Sequence, residues 1–168
     1  MDNFYEMIIC NQKEEIKKIE ECNQKTALFG VALTKEEIEM LVESKQEILK
    51  ETQRFEFGRG ILPDLLMEFC DSEYIDQNNY AEVISQLQEV FYTYKNDMQD
   101  QITDIELLDL MRYTFENVCF GDIGLLESLY LDEYARKVRL EGGEAFERES
   151  KEAILNRRDF KQDVFDEE

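Results

Sequence analysis

Residues 80–94 read YAEVISQLQEVFYTY. Tyr80, Val83, Ile84, Leu87, Val90, Phe91 and Tyr94 fall at offsets 0, 3, 4, 7, 10, 11 and 14, the spacing that gathers side chains on one face of a helix with 3.6 residues per turn. An apolar stripe this long predicts a core helix, and the rest of the chain must supply partners for it. With Tyr80 set at 0°, Tyr92 projects at about 120°, off the Tyr80–Leu87–Phe91 face. Such an aromatic either meets a second neighbouring helix or belongs to a protein interface.

On the C-terminal side, Thr103-Asp104-Ile105-Glu106 has the S/T-x-x-E pattern in which hydroxyl and carboxylate reciprocally satisfy the first backbone N–H groups of a helix. Leu107, Leu108, Met111, Phe115 and Val118 follow, and the helix should end near Gly121. Asp122 can cap the next helix, which carries Ile123, Leu126, Leu129, Tyr130, Tyr134 and Val138 as far as Gly142-Gly143. Residues 144–168 mix charges of both signs with scattered apolar side chains. They are expected to form a peripheral helix to about Arg158 and a frayed acidic end, set against a helical domain over residues 1–143.

On the N-terminal side, Gly58-Arg59-Gly60 breaks the chain, and Ile61-Leu62-Pro63 suits a helix start because Pro is tolerated in the first turn. That helix should run to about Cys70. Thr34-Lys35-Glu36-Glu37 is a second capping box, predicting a helix to about Thr52. Its inward face is Ile38, Leu41, Val42 and Leu49, with Ile48 a further candidate; Glu36, Glu39, Glu43, Lys45, Glu47 and Lys50 are assigned to water. Residues 3–28 are helical by spacing and stop at Gly30, with polar Asn11 to Glu15 leaving room for a division into two helices. The alternating Arg54-Phe55-Glu56-Phe57 leaves room for one short β-hairpin with residues 31–33. The fold class is thus mainly α: a single multi-helix domain of six or seven helices, with Ile38, Leu41, Leu87, Phe91, Leu108, Phe115, Leu126 and Tyr130 as its core.

Composition narrows the functions such a domain can have. The chain has 168 residues with 40 Asp+Glu against 19 Lys+Arg, a formal charge of −21, so its field repels phosphate backbones and anionic lipid headgroups. Direct nucleic-acid and membrane-surface binding are excluded on that ground. With 43% hydrophobic residues and 19 Phe and Tyr, the chain has more core-forming material than a disordered acidic segment carries. No stretch approaches the roughly 18 apolar residues of a membrane span. Met7-Ile8-Ile9-Cys10 lacks the basic and apolar regions of a secretion signal, so a cytoplasmic location is expected.

Zero His removes Ser-His-Asp, Cys-His and HExxH chemistry. Cys10, Cys22, Cys70 and Cys119 are far apart and form no zinc or thioredoxin-type motif. Apolar neighbours suggest that Cys70 and Cys119 are buried. The segment from Asp76 misses the EF-hand pattern at positions 5, 6 and 12, where Tyr80, Ala81 and Leu87 stand. The pairs Glu36/Glu39 and Glu144/Glu147 lie in charge-rich stretches. No catalytic residue, metal ligand or cofactor is assigned.

One local exception to the acidic field remains. Arg54, Gly58, Arg59 and Gly60 form a basic, glycine-flexed loop before a helix and are candidates, with Tyr74 and Tyr92, for a binding surface. The alternative keeps Phe55 and Phe57 as core rings and lets the two arginines neutralise Glu51 and Glu56.

Glu51-Thr52-Gln53-Arg54-Phe55-Glu56-Phe57-Gly58, Phe69-Cys70-Asp71-Ser72-Glu73-Tyr74-Ile75 and Phe91-Tyr92-Thr93-Tyr94-Lys95-Asn96 give residues 1–140 their likeness to a known group. The chain resembles an uncharacterised helical family of Firmicutes proteins, a domain of unknown function. The resemblance implies a cytoplasmic bacterial protein and no activity, cofactor or catalytic residue. The reading is a non-enzymatic, regulatory or interaction protein whose partner is another protein or a second copy of itself, as in a homodimer. An acidic decoy for a basic protein and a carboxylate-based metal enzyme are the alternatives.

Overall fold

The computed structural model describes residues 2–56 and 60–141, except the side chains of 2–11, 129, 130 and 141. The peripheral helix expected from 144 to about Arg158 and the frayed end after it lie outside the described residues. The contacts divide the chain after Thr93, and the two units are taken in turn.

In the first unit, α1 (Asp2–Thr26) is one unbroken helix. The division left open around Asn11 to Glu15 does not occur. Gln, Lys and Glu have helix propensities close to that of Ala, and no Gly or Pro interrupts them. A 3₁₀ turn (Ala27–Phe29) ends at Gly30, whose φ of 88° suits a residue without a Cβ. Helix α2 (Lys35–Glu51) starts at the predicted box: Glu37 N–H donates to Thr34 Oγ1 at 3.1 Å, and Thr34 N–H donates to Glu37 Oε1 at 2.9 Å. Helix α3 (Leu62–Phe69) has Pro63 in its first turn. Helix α1 packs against both α2 and α3.

No strand occurs among the described residues, so the hairpin near 31–33 and 54–57 is absent there, residue 57 lying outside them. The backbone groups that would have formed it are taken by side-chain amides. Gln77 pairs with both the N–H and the C=O of Ala32, each at 2.8 Å, and Asn23 pairs with those of Leu33 at 2.9 and 2.8 Å.

Helix α4 (Tyr80–Asp97) is introduced by a reciprocal cap in which Asp76 accepts from the N–H groups of Asn78 and Asn79 while Asn79 accepts from that of Asp76. Tyr80, Ile84, Leu87, Val90 and Phe91 of the predicted stripe are buried, and Val83 sits at its margin.

In the second unit, α5 (Asp104–Asn117) opens on the other predicted box, with Glu106 N–H to Thr103 Oγ1 at 3.2 Å and Thr103 N–H to Glu106 Oε2 at 3.3 Å. Beyond it Phe120 and Gly121 are left-handed, at φ 50° and 82°. Asp122 caps α6 (Ile123–Leu125), accepting from Leu125 N–H. That short helix widens into a π-helical stretch (Leu126–Leu131) and continues as α7 (Asp132–Glu141). Helix α5 packs on the π-helical stretch.

The wider turn shifts the buried face. Uninterrupted α spacing led from Leu126 through Leu129 and Tyr130 to Tyr134. Among the described side chains, Leu126 and Val138 are buried as expected, Leu131 and Ala135 are buried as well, and Tyr134 is half-buried, as an i→i+5 turn inserts one residue into the period. Of the expected core, Ile38, Leu41, Leu87, Phe91, Leu108, Phe115 and Leu126 are buried, and the side chain of Tyr130 lies outside the description.

Candidate functional site

Lys45 is the first departure from the sequence reading that bears on chemistry. Assigned to water, it is only 4% exposed. It lies one turn beyond Leu41 and one turn before Leu49, and the i, i+4 spacing carries it into their face. On α1, Glu15 is likewise buried, one turn before the buried Ile19. The two meet: Lys45 Nζ donates to Glu15 Oε2 and lies 3.0 Å from Glu56 Oε1. Tyr92 donates its hydroxyl proton to Glu56 Oε2. Gln88, one turn before Tyr92 on α4, donates to the Leu41 carbonyl at 3.2 Å.

Gly60 closes over this cluster. Its φ of +74° is left-handed, and a Cβ on it would overlap Glu56 Oε1 and lie 3.1 Å from Lys45 Nζ. The glycine therefore serves both backbone conformation and close approach.

Two carboxylates thus share one ammonium in a nearly dry setting. Ion pairing opposes desolvation, but one cation can neutralise only one anion. For Glu15 burial dominates: it raises the carboxyl above its ordinary 4.5, Lys45 pulls the other way, and the Glu56 charge adds to the rise. Glu15 Oε1 is buried and has no hydrogen-bond partner among the described residues. The arrangement is suited to holding a proton and to tying α1, α2, α4, Glu56 and Gly60 together within the first unit.

The residues proposed from sequence are distributed as follows. Gly60 and Tyr92 belong to the buried cluster, Tyr92 being 2% exposed. The partner of its hydroxyl, Glu56, lies in the non-helical segment after α2. Arg54 is half-buried at the end of α2, where its N–H donates to the Leu49 carbonyl at 2.8 Å. Tyr74 is half-buried in the turn before α4. Gly58 and Arg59 lie outside the described residues. Phe55 is 78% exposed rather than a core ring, and Phe57 lies outside the described residues.

Sequence reasoning passed over a second feature. Leu28 is 85% and Phe29 57% exposed, side by side in the 3₁₀ turn after α1. That turn is fixed by Gly30 N–H to the Ala27 carbonyl at 3.1 Å, Val31 N–H to the Thr26 carbonyl at 3.3 Å, and the Asn23 and Gln77 amides just beyond. The second unit has a parallel feature, with exposed Phe120 before left-handed Gly121. The shared signal is Phe-Gly at a helix end, where the glycine turns the backbone and leaves the aromatic outside.

Cys70 and Cys119 are buried, and burial pushes the Cys119 thiol up to about 11, against nucleophilic use near neutrality. Among the described residues no three His, Cys, Asp or Glu are placed to hold a metal ion, and no helix is long and apolar enough to cross a membrane.

Fold and site together define an all-helical protein whose first unit encloses a lysine-centred ionic cluster. The chain belongs to DUF6323, a family of unknown function, whose pattern matches residues 18–144. No curated protein and no solved structure matches it.

Proposed function

We propose that the protein acts by binding another protein, docking through the Leu28–Phe29 turn, in the bacterial cytoplasm that the family resemblance implies. The observation that carries this is the exposure of two adjacent large apolar side chains on a turn held by both its own backbone and two side-chain amides. Exposed apolar side chains held in a fixed geometry lose little conformational freedom on binding, which favours their use as anchors. The net charge of −21 disfavours a second copy and favours a partner with a basic rim around an apolar pocket.

A photoreactive side chain introduced at Leu28 should crosslink one basic protein in native cells, and the same group at exposed Glu39 should not. The purified partner should bind Leu28→Ser/Phe29→Ser at least tenfold more weakly, with the thermal melt unchanged. Adducts that do not depend on position, or that join only copies of this chain, overturn the reading.

A further inference from the structure

Among the described residues the Lys45 cluster has one more carboxylate than it has cations, and that imbalance points to a bound proton. Glu15 faces Lys45 from α2 and Glu56 from the segment after α2, and these supply the charges it feels. From α4, Tyr92 contributes an uncharged hydroxyl directed at Glu56. Helix α3, packed on α1, buries Leu62, Pro63, Leu65, Leu66 and Phe69. With Glu15 neutral, the ammonium and the Glu56 carboxylate cancel. With Glu15 ionised, the same space holds a net negative charge, and Glu15 Oε1 has no hydrogen-bond partner among the described residues. Glu56 is the more exposed carboxylate, its side chain 18% accessible against 3% for Glu15, so its charge is the easier one to hydrate.

We infer that the cluster is a proton-binding site: the closed arrangement of α1 on α2 carries the proton on Glu15, and release of that proton loosens the contact. A carboxyl raised by folding contributes stability that is fully present below its unfolded value, and that stability is lost as pH rises through the folded value. The rise given to Glu15 by burial has this sign. The site therefore joins pH to the closure of the first unit, independently of what docks at Leu28 and Phe29.

The test is a side-chain carboxyl NMR titration of the intact chain, combined with denaturant unfolding of wild type and Glu15→Gln across pH. Glu15 should titrate above 4.5, its ordinary value. Within the window between its unfolded and folded values, the folded-to-unfolded ratio of wild type relative to Glu15→Gln should fall about tenfold per pH unit. Hydrogen exchange of α1 amides near Glu15 should quicken with pH more steeply in wild type than in the variant. Titration of Glu15 at or below its ordinary value, or a raised titration on Glu56 in its place, overturns the inference, as does a stability ratio that is flat or rises with pH. If Glu15→Gln does not fold, the wild-type titration decides alone.

Discussion

Lys45 in the first unit and Lys95 in the second are both buried lysines, 4% and 7% exposed, yet their surroundings differ. Lys45 lies between two carboxylates, both largely out of water. Lys95 donates to the Ile102 carbonyl and pairs at 2.9 Å with Asp104, whose side chain is 57% exposed. In the second case the counter-charge keeps its hydration and the lysine chiefly satisfies a backbone acceptor across the α4–α5 loop. In the first, nearly every charge depends on another protein group. A buried cation is thus a sensitive or a robust feature according to how far its anions are desolvated.

Removing each ammonium is the strongest way to break this comparison. Lys45→Met leaves Glu15 and Glu56 with no cation, and should cost about 3–5 kcal/mol, the range for taking one partner from a buried pair. Denaturant unfolding near neutral pH measures it, and lowering the pH should recover part of the loss as Glu15 is protonated. Lys95→Met should cost about 1–3 kcal/mol, for a buried carbonyl left without its donor. Equal losses would erase the distinction between the two lysines. The smallest effect sharpens it: Asp104→Asn should change stability by no more than about 1 kcal/mol, because the carboxylate it removes is 57% exposed and keeps its hydration, and the change should shrink further in salt.

Much of the frame was legible because it depends on local rules. Thr34/Glu37 and Thr103/Glu106 formed the boxes their spacing predicted, Gly30 ended the first helical segment, and the Tyr80–Phe91 stripe was buried. These outcomes need only a hydrogen-bonding side chain at a fixed offset or a period of 3.6. Lys45 has the residue type of a solvated face but the position of a buried one. The steps Leu41–Lys45–Leu49 and Glu15–Ile19 put opposite charges within the buried faces of successive helices, and that coincidence was the available signal for the pair. The π turn was not legible, since one residue inserted into a helical period depends on tertiary support. That support is the Tyr94 hydroxyl, 2.5 Å from both the Glu127 carbonyl and Asp132 Oδ1, with burial and the nearby Asp132 carboxylate raising its pKa. The missing hairpin likewise depended on which distant amides reached residues 32 and 33.

Those two amides have a consequence for the chain's behaviour in a crowd. Successive residues of an extended segment present their N–H and C=O groups to opposite edges, so Gln77 occupies one edge at Ala32 and Asn23 the other at Leu33. The connection between α1 and α2 resembles the middle strand of a sheet whose outer strands have been reduced to two side chains. An open extended segment beside exposed Leu28 and Phe29 would offer an incoming chain a template for strand addition, the route by which unguarded edges seed aggregates. With both edges filled, that turn can show apolar side chains to solvent without offering its backbone.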